Sequence, residues 1–379
     1  MRKTILLLAV ILVGLTLLRI RPYQFNVTSL FHMDEYAATG NAMPANFVIL
    51  NAPSYDGAQY YQIARNIPKI LNPHRWIEVR SNPPGSYAYQ RVLLPFVAFI
   101  LALGITALLP WSFLIINLGS LLLTAWLLLR RYPRKSLHVL ALCLSPAAMV
   151  AMHFTLAEPI TILLITLALL RYREAGKITL VSLLCLMLVV LAREVNILFI
   201  GFMMGWSLLT KRWKDAALLI LPALVFVGWH SVIYGMFGNV PFLLSAEAGR
   251  IPGSALLDVL LGHKGYNRLT ITSIALFLGF VLPTTIYVLT DIIRRKKVDV
   301  LSLGTLAFLC VMYAMPDYIW GSITSIGRVI TPVYPLAILL TLDRSDTAGR
   351  ALAILMILLG VGASIALALS TFSYTLTAA

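Results

Sequence analysis

Twelve apolar runs, separated by short clusters of Lys and Arg, constrain this chain more than any single motif. They lie near 4–20, 89–104, 108–129, 136–154, 157–170, 178–192, 195–209, 215–235, 269–293, 298–315, 328–342 and 351–372. A soluble domain cannot cover that much apolar surface. Of the 379 residues 60% are hydrophobic and 12% charged, against about 45–50% and about 25% in soluble proteins. The chain therefore reads as an all-α, polytopic transmembrane bundle forming one domain over 1–379. The net charge of +15 sits in short clusters between apolar runs, a pattern that orients membrane proteins, so nucleic acid is set aside. Cys143, Cys185 and Cys310 fall inside apolar runs and imply no disulfide framework.

The basic clusters decide the topology. Arg130 to Lys135, Arg171 to Lys177, Lys211 to Lys214, Arg294 to Lys297, and Arg344 with Arg350 should all share the cytoplasmic side with Arg2 and Lys3. They can do so only if 89–104 is a partial, re-entrant or interfacial helix that does not cross. The expectation is thus about eleven spans, a cytoplasmic N-terminus and a site on the outer face of a plasma (inner) membrane. The run 4–20 is read as a retained first span, because Arg19, Arg21 and Pro22 follow it in place of a cleavage site.

This orientation leaves a long first outer loop, 21–88, and loops of such length are commonly functional. It holds His32, Asp34, Glu35, Asp56, Arg65, His74, Arg75, Glu78 and Arg80. Within it, Tyr55 to Asn66 reads as a short helix stopped by Pro68, with Asp56 in the first turn and Tyr60 on the same face. Two readings stay open for it: an amphipathic helix lying on lipid, or a carboxylate presented for chemistry. Further outer polar groups are Arg91, His153, Glu158, Arg328 and the adjacent pair Arg193–Glu194. That pair reads either as a structural ion pair at a helix break or as an anion clamp with an orienting carboxylate.

The motifs "YDGAQYYQIAR", "YQRVLLPF", "TLAEPITILL" and "LAREVNILFI" occur in that order between Asp56 and Asn196, with "GRVITPVYP" near the end. Together they resemble the GT-C superfamily of membrane glycosyltransferases, in particular bacterial proteins related to the glycosylphosphatidylinositol mannosyltransferases. Tyr55 and Ala157 depart from the residues common there. The resemblance implies transfer of a sugar, mannose being one candidate, from a polyprenyl-phosphate donor to a lipid, glycan or protein acceptor. A loop carboxylate would act as general base with inversion. On that reading Asp56 is the first candidate base and Asp34 the second. Tyr60, Arg65, Arg91, His153, Glu158, Arg193, Glu194 and Arg328 are candidate substrate-binding residues. No cofactor is implied, and the loop lacks an aspartate-x-aspartate pair that would indicate a divalent metal. The alternative is a secondary transporter or flippase of an anionic or lipid-linked substrate.

Overall fold

The computed structural model describes residues 1–39, 43–70, 72, 79, 85–239, 253–262, 268–320, 323–344 and 346–377. His74, Arg75, Glu78, Arg80 and Glu247 lie outside them. The principal helices are α1 (Arg2–Ile20), α2 (Asp56–Asn66), α3 (Leu93–Leu101), α4 (Leu109–Arg131), α5 (Ser136–Cys143), α6 (Pro146–Phe154), α7 (Glu158–Ala175) and α8 (Leu180–Ala192). They continue with α9 (Asn196–Leu209), α10 (Ile220–Phe237), α11 (Leu282–Arg295), α12 (Val300–Tyr313), α13 (Ile323–Val329), α14 (Val333–Arg344) and α15 (Thr347–Leu369).

Among the described residues five helices are long and apolar enough to cross a membrane: Arg2–Tyr23, Thr106–Arg131, Trp213–Phe237, Ile271–Arg295 and Thr347–Leu369. A sixth arises if α5 and α6, bent by 42° where Pro146 interrupts the ladder, form one span. Leucines and valines such as Leu6, Val10, Leu224, Val227 and Leu358 point outward. A bundle with such a girdle belongs in lipid. The other apolar runs form shorter helices, so among the described residues five or six of the eleven expected spans reach a crossing length. The run 89–104 is helical only over Leu93–Leu101, nine residues. That covers about 14 Å at 1.5 Å per residue, half of a ~30 Å hydrocarbon layer. Leu103 and Gly104 then adopt positive φ and turn the chain back against α4.

The break between α5 and α6 packs directly on α15. A Cβ at Gly360 would stand 1.7 Å from the Leu144 carbonyl oxygen, so only glycine allows this crossing. The segment between α1 and α2 is tied to the far end of the chain by a two-stranded antiparallel sheet, β1 (Val48–Leu50) against β2 (Tyr374–Leu376), with Ile49 opposite Thr375. Arg19 reinforces that closure. Its guanidinium, almost fully buried, donates to the Leu367 and Ser370 carbonyls at the C-terminus of α15, where orphan carbonyls and the helix dipole favour a cation.

Candidate functional site

The α2 helix forms where the sequence places it, but its surroundings differ from a lipid surface. Residues Gly57 to Ala64 are all buried, so the helix is enclosed by protein on nearly every side. The lipid-lying alternative is thereby overturned: a helix resting on lipid would leave one face exposed. Glycine follows Asp56 because a Cβ at position 57 would meet the Phe154 carbonyl oxygen at 2.2 Å. The first turn of α2 is thus seated on the C-terminus of α6. Replacing Gly57 with Ala should push α2 off this seat and destabilise the protein by about 1–3 kcal/mol. Thermal unfolding in detergent would test this, and an unchanged midpoint would refute the contact.

Asp56 begins α2, and Glu158 begins α7, each in the first turn where the helix dipole favours a carboxylate. Three arginines run between them and a third acid. Glu194 receives Arg91 through two parallel hydrogen bonds, 2.8 Å from Nε and 2.6 Å from Nη2. Arg91 Nη1 also donates to Asp56 Oδ2, which accepts Arg328 Nη2 at 2.7 Å. Arg328 Nε then reaches Glu158 Oε1 at 2.7 Å, and the same oxygen accepts Arg193 Nη1 at 2.8 Å. The result is an alternating chain, Glu194–Arg91–Asp56–Arg328–Glu158–Arg193, of three acids and three bases. Its two end members are neighbours in sequence. Arg193 and Glu194 therefore do not pair with each other; the break between α8 and α9 sends them to different partners.

Aromatic side chains frame the arginines. Tyr55 accepts from Arg328 Nη1 at 3.0 Å and lies under its guanidinium, with a 5.2 Å separation to the ring centroid. Tyr87 does the same for Arg91, at 2.8 Å and 5.1 Å. Sequence reasoning misses both phenols as site residues; the one available hint is an aromatic placed one or four positions from a candidate charge. Tyr55 in turn donates to the Thr324 carbonyl at 3.1 Å, tying the loop to α13.

The site is not saturated. Glu158 Oε2, Arg193 Nε and the Tyr60 hydroxyl are buried and have no hydrogen-bond partner among the described residues. Leaving such groups unpaired is costly, and a cluster offering both donors and an acceptor suits a polar occupant. Asp56 is the most open member of the acids, its side chain 20% exposed where Glu158 is fully buried. Burial alone would push the Asp56 carboxyl up; Arg328 and Arg91 outweigh it and hold the group well below the usual carboxylate range. Burial pushes the Tyr60 phenol above its ordinary range.

The remaining candidates fall elsewhere. Asp34 caps a short helical turn at Glu35–Ala38 and clamps Ser54, accepting from Ala37 N at 2.8 Å, Ser54 N at 3.0 Å and Ser54 Oγ at 2.6 Å. This removes it from the arginine chain and makes it a support for Ser54, two residues before Asp56. A cleft of about 960 Å³ lies beside Asp34 and β2, but the arginines converge on Asp56, and charge arrangement outweighs size in choosing the site. His153 is drawn into helix packing, its Nε2 2.5 Å from the Ser364 hydroxyl on α15. Arg65 lies over the Tyr61 ring and contacts Met43 Sδ, both outside the chain of ion pairs. The Asp317 side chain lies outside the described residues. Among the described residues, no three His, Cys, Asp or Glu side chains come together as metal ligands.

None of the family models, curated proteins or solved structures compared with this chain matches it. The reading of the site therefore rests on its own chemistry.

Proposed function

We propose that the protein is a membrane glycosyltransferase that moves a sugar from a polyprenyl-phosphate donor to an acceptor hydroxyl, with Asp56 as general base. The observation that carries this reading is one partly open carboxylate held between two arginines, beside buried polar atoms that lack partners. In the reaction, the acceptor oxygen forms a bond to the anomeric carbon while its proton passes to Asp56. The bond from that carbon to the phosphate oxygen breaks, and the electron pair leaves with the prenyl phosphate. Arg91, Arg328 and Arg193 are then the cations that offset the growing phosphate charge.

The ion pairs also explain how a weakly basic carboxylate could act as a base. With both arginines on Asp56, its proton affinity is low. A donor phosphate drawing Arg328 and Arg91 toward itself loosens their hold, and the proton affinity of Asp56 rises only when the donor is in place. Glu158 and Glu194 keep the arginines anchored meanwhile. Tyr60, with its unpaired hydroxyl, supplies a hydrogen bond to a sugar oxygen.

Transport is the weaker reading. A translocation path requires polar groups through the bilayer midplane. The ion pairs between described residues lie at the ends of the helices. The chain around Asp56 is at one end; Arg173–Asp343 and Arg344 with Asp291 and Asp299 are at the other.

The test is release of prenyl phosphate from polyprenyl-phosphate mannose by the purified protein, with membrane lipids and glycans supplied as acceptors. Wild type and Asp34→Asn should both release it, the variant within about threefold, since the new side-chain amide retains one cap-accepting oxygen and capping contributes only about 1 kcal/mol. Loss of release in Asp34→Asn with intact folding would move the base to Asp34. No release by wild type with any prenyl-phosphate sugar would overturn the proposal.

A further inference from the structure

At the end of the bundle remote from Asp56, α11 and α15 enclose a second cavity of about 630 Å³. Its walls are mostly apolar, from Leu282, Pro283 and Ile286 on α11 and Ala351, Leu352 and Leu355 on α15, with Tyr287, Thr290 and Asp291 also in the lining. Arg294, Arg295 and Asp346 stand at its mouth. Both helices belong to candidate spans, Ile271–Arg295 and Thr347–Leu369, and Ile286 and Leu355 on the rim are exposed. The cavity is therefore a groove opening sideways to the hydrocarbon. From Leu282 to Arg295 it follows about 20 Å of helix, thirteen steps of 1.5 Å.

The charges at the mouth are unequal in their availability. Asp291 is engaged by Arg295 at 2.7 Å and by Arg344 at 3.1 Å, and Asp299 by Arg344 at 2.8 Å. Asp346 caps α15 by accepting from Gly349 N at 2.7 Å, and it also receives the Tyr287 hydroxyl at 3.3 Å. Asp291 and Asp299 are thus paired with cations, whereas Asp346 keeps its charge under hydrogen bonds from neutral donors, one acid against the three cations Arg294, Lys296 and Lys297. Arg294 is exposed, has no ion pair among the described residues, and is followed by the exposed Lys296 and Lys297.

We propose that this groove binds an anionic phospholipid from the leaflet on the basic side, one acyl chain lying between α11 and α15 and the phosphate beside Arg294. The apolar length selects a lipid over a free phosphate, and the unconsumed cation selects an anionic over a zwitterionic headgroup. This site stands apart from the proposed transfer chemistry and does not depend on it.

The experiment is native mass spectrometry of the full chain in detergent, with phosphatidylglycerol and phosphatidylcholine of identical acyl chains. Wild type should retain phosphatidylglycerol in preference. Arg294→Gln should weaken that retention about fivefold, the ratio corresponding to about 1 kcal/mol per basic residue at an anionic lipid surface. Ala351→Phe, which fills the groove, should abolish it. Inorganic phosphate at equal concentration should fail to compete. Matching thermal midpoints without added lipid establish that the variants fold, and the surface position of Arg294 keeps that variant informative if Ala351→Phe does not. Equal retention of the two lipids, unchanged retention in Arg294→Gln, or displacement by inorganic phosphate would each overturn the proposal.

Discussion

Asp56→Asn should lower transfer by at least about a hundredfold while leaving the protein folded, because a positioned general base contributes on the order of 10²–10⁴ in rate. The separation of activity from folding follows from the ion-pair chain. Arg91 keeps both bonds to Glu194, and Arg328 keeps Glu158. Neither arginine is left without a carboxylate when Asp56 loses its charge. Prenyl-phosphate release alongside a thermal melt reads both quantities. An active Asp56→Asn enzyme would end the assignment of Asp56 as base. The same variant carries a pH signature. Because the folded Asp56 is held below its unfolded value of about 3.9, its contribution to stability is fully present above that pH. It is lost as pH falls through the lower folded value. Wild type should therefore lose stability in acid more steeply than Asp56→Asn, seen as converging midpoints below about pH 4.

Glu158→Ala should do the opposite and cost mainly stability, by about 3–5 kcal/mol. Glu158 is fully buried and one of its oxygens holds two arginines, Arg193 and Arg328. Among the described residues Arg193 has no other carboxylate as hydrogen-bond partner, only the Arg328 carbonyl at 2.6 Å. Removing Glu158 leaves a buried guanidinium without a counter-charge, which is among the most damaging single changes available to a protein interior. Glu158→Gln keeps the shape and one acceptor but still removes the charge. It should fall between Ala and wild type. A melt of Glu158→Ala within about 1 kcal/mol of wild type would show that Arg193 finds another partner and that the chain is not a unit.

The difference between these two acids could not have been read from the sequence, where Asp56 is one acid of a long loop and Glu158 a lone carboxylate between apolar runs. The sequence was enough for the membrane class, because the length and repetition of apolar runs leave no soluble alternative. It was enough for the α2 helix and its end just before Pro68, since the dipole and the constraints of proline act within a few residues. The run 89–104 does hold a helix too short to cross, Leu93–Leu101, but the grouping of basic residues on one side asked for it through a count of spans that the described helices do not reproduce.

Pairing was another matter. Arg193 and Glu194 are adjacent and were open to a mutual ion pair, yet a helix break turns them toward Glu158 and Arg91, positions 35 and 103 residues away. Asp34 and Asp56 looked like rival bases in one loop; Ser54 and a backbone cap claim the first, and two distant arginines claim the second. Gly57 carries no signal of its own beside Asp56; only the fold sets the Phe154 carbonyl against it. Hydropathy and charge grouping act along the chain, so they determine which segments enter a membrane and which ends they share. Which carboxylate meets which guanidinium depends on how segments far apart in the chain cross, and helix packing in three dimensions alone decides that.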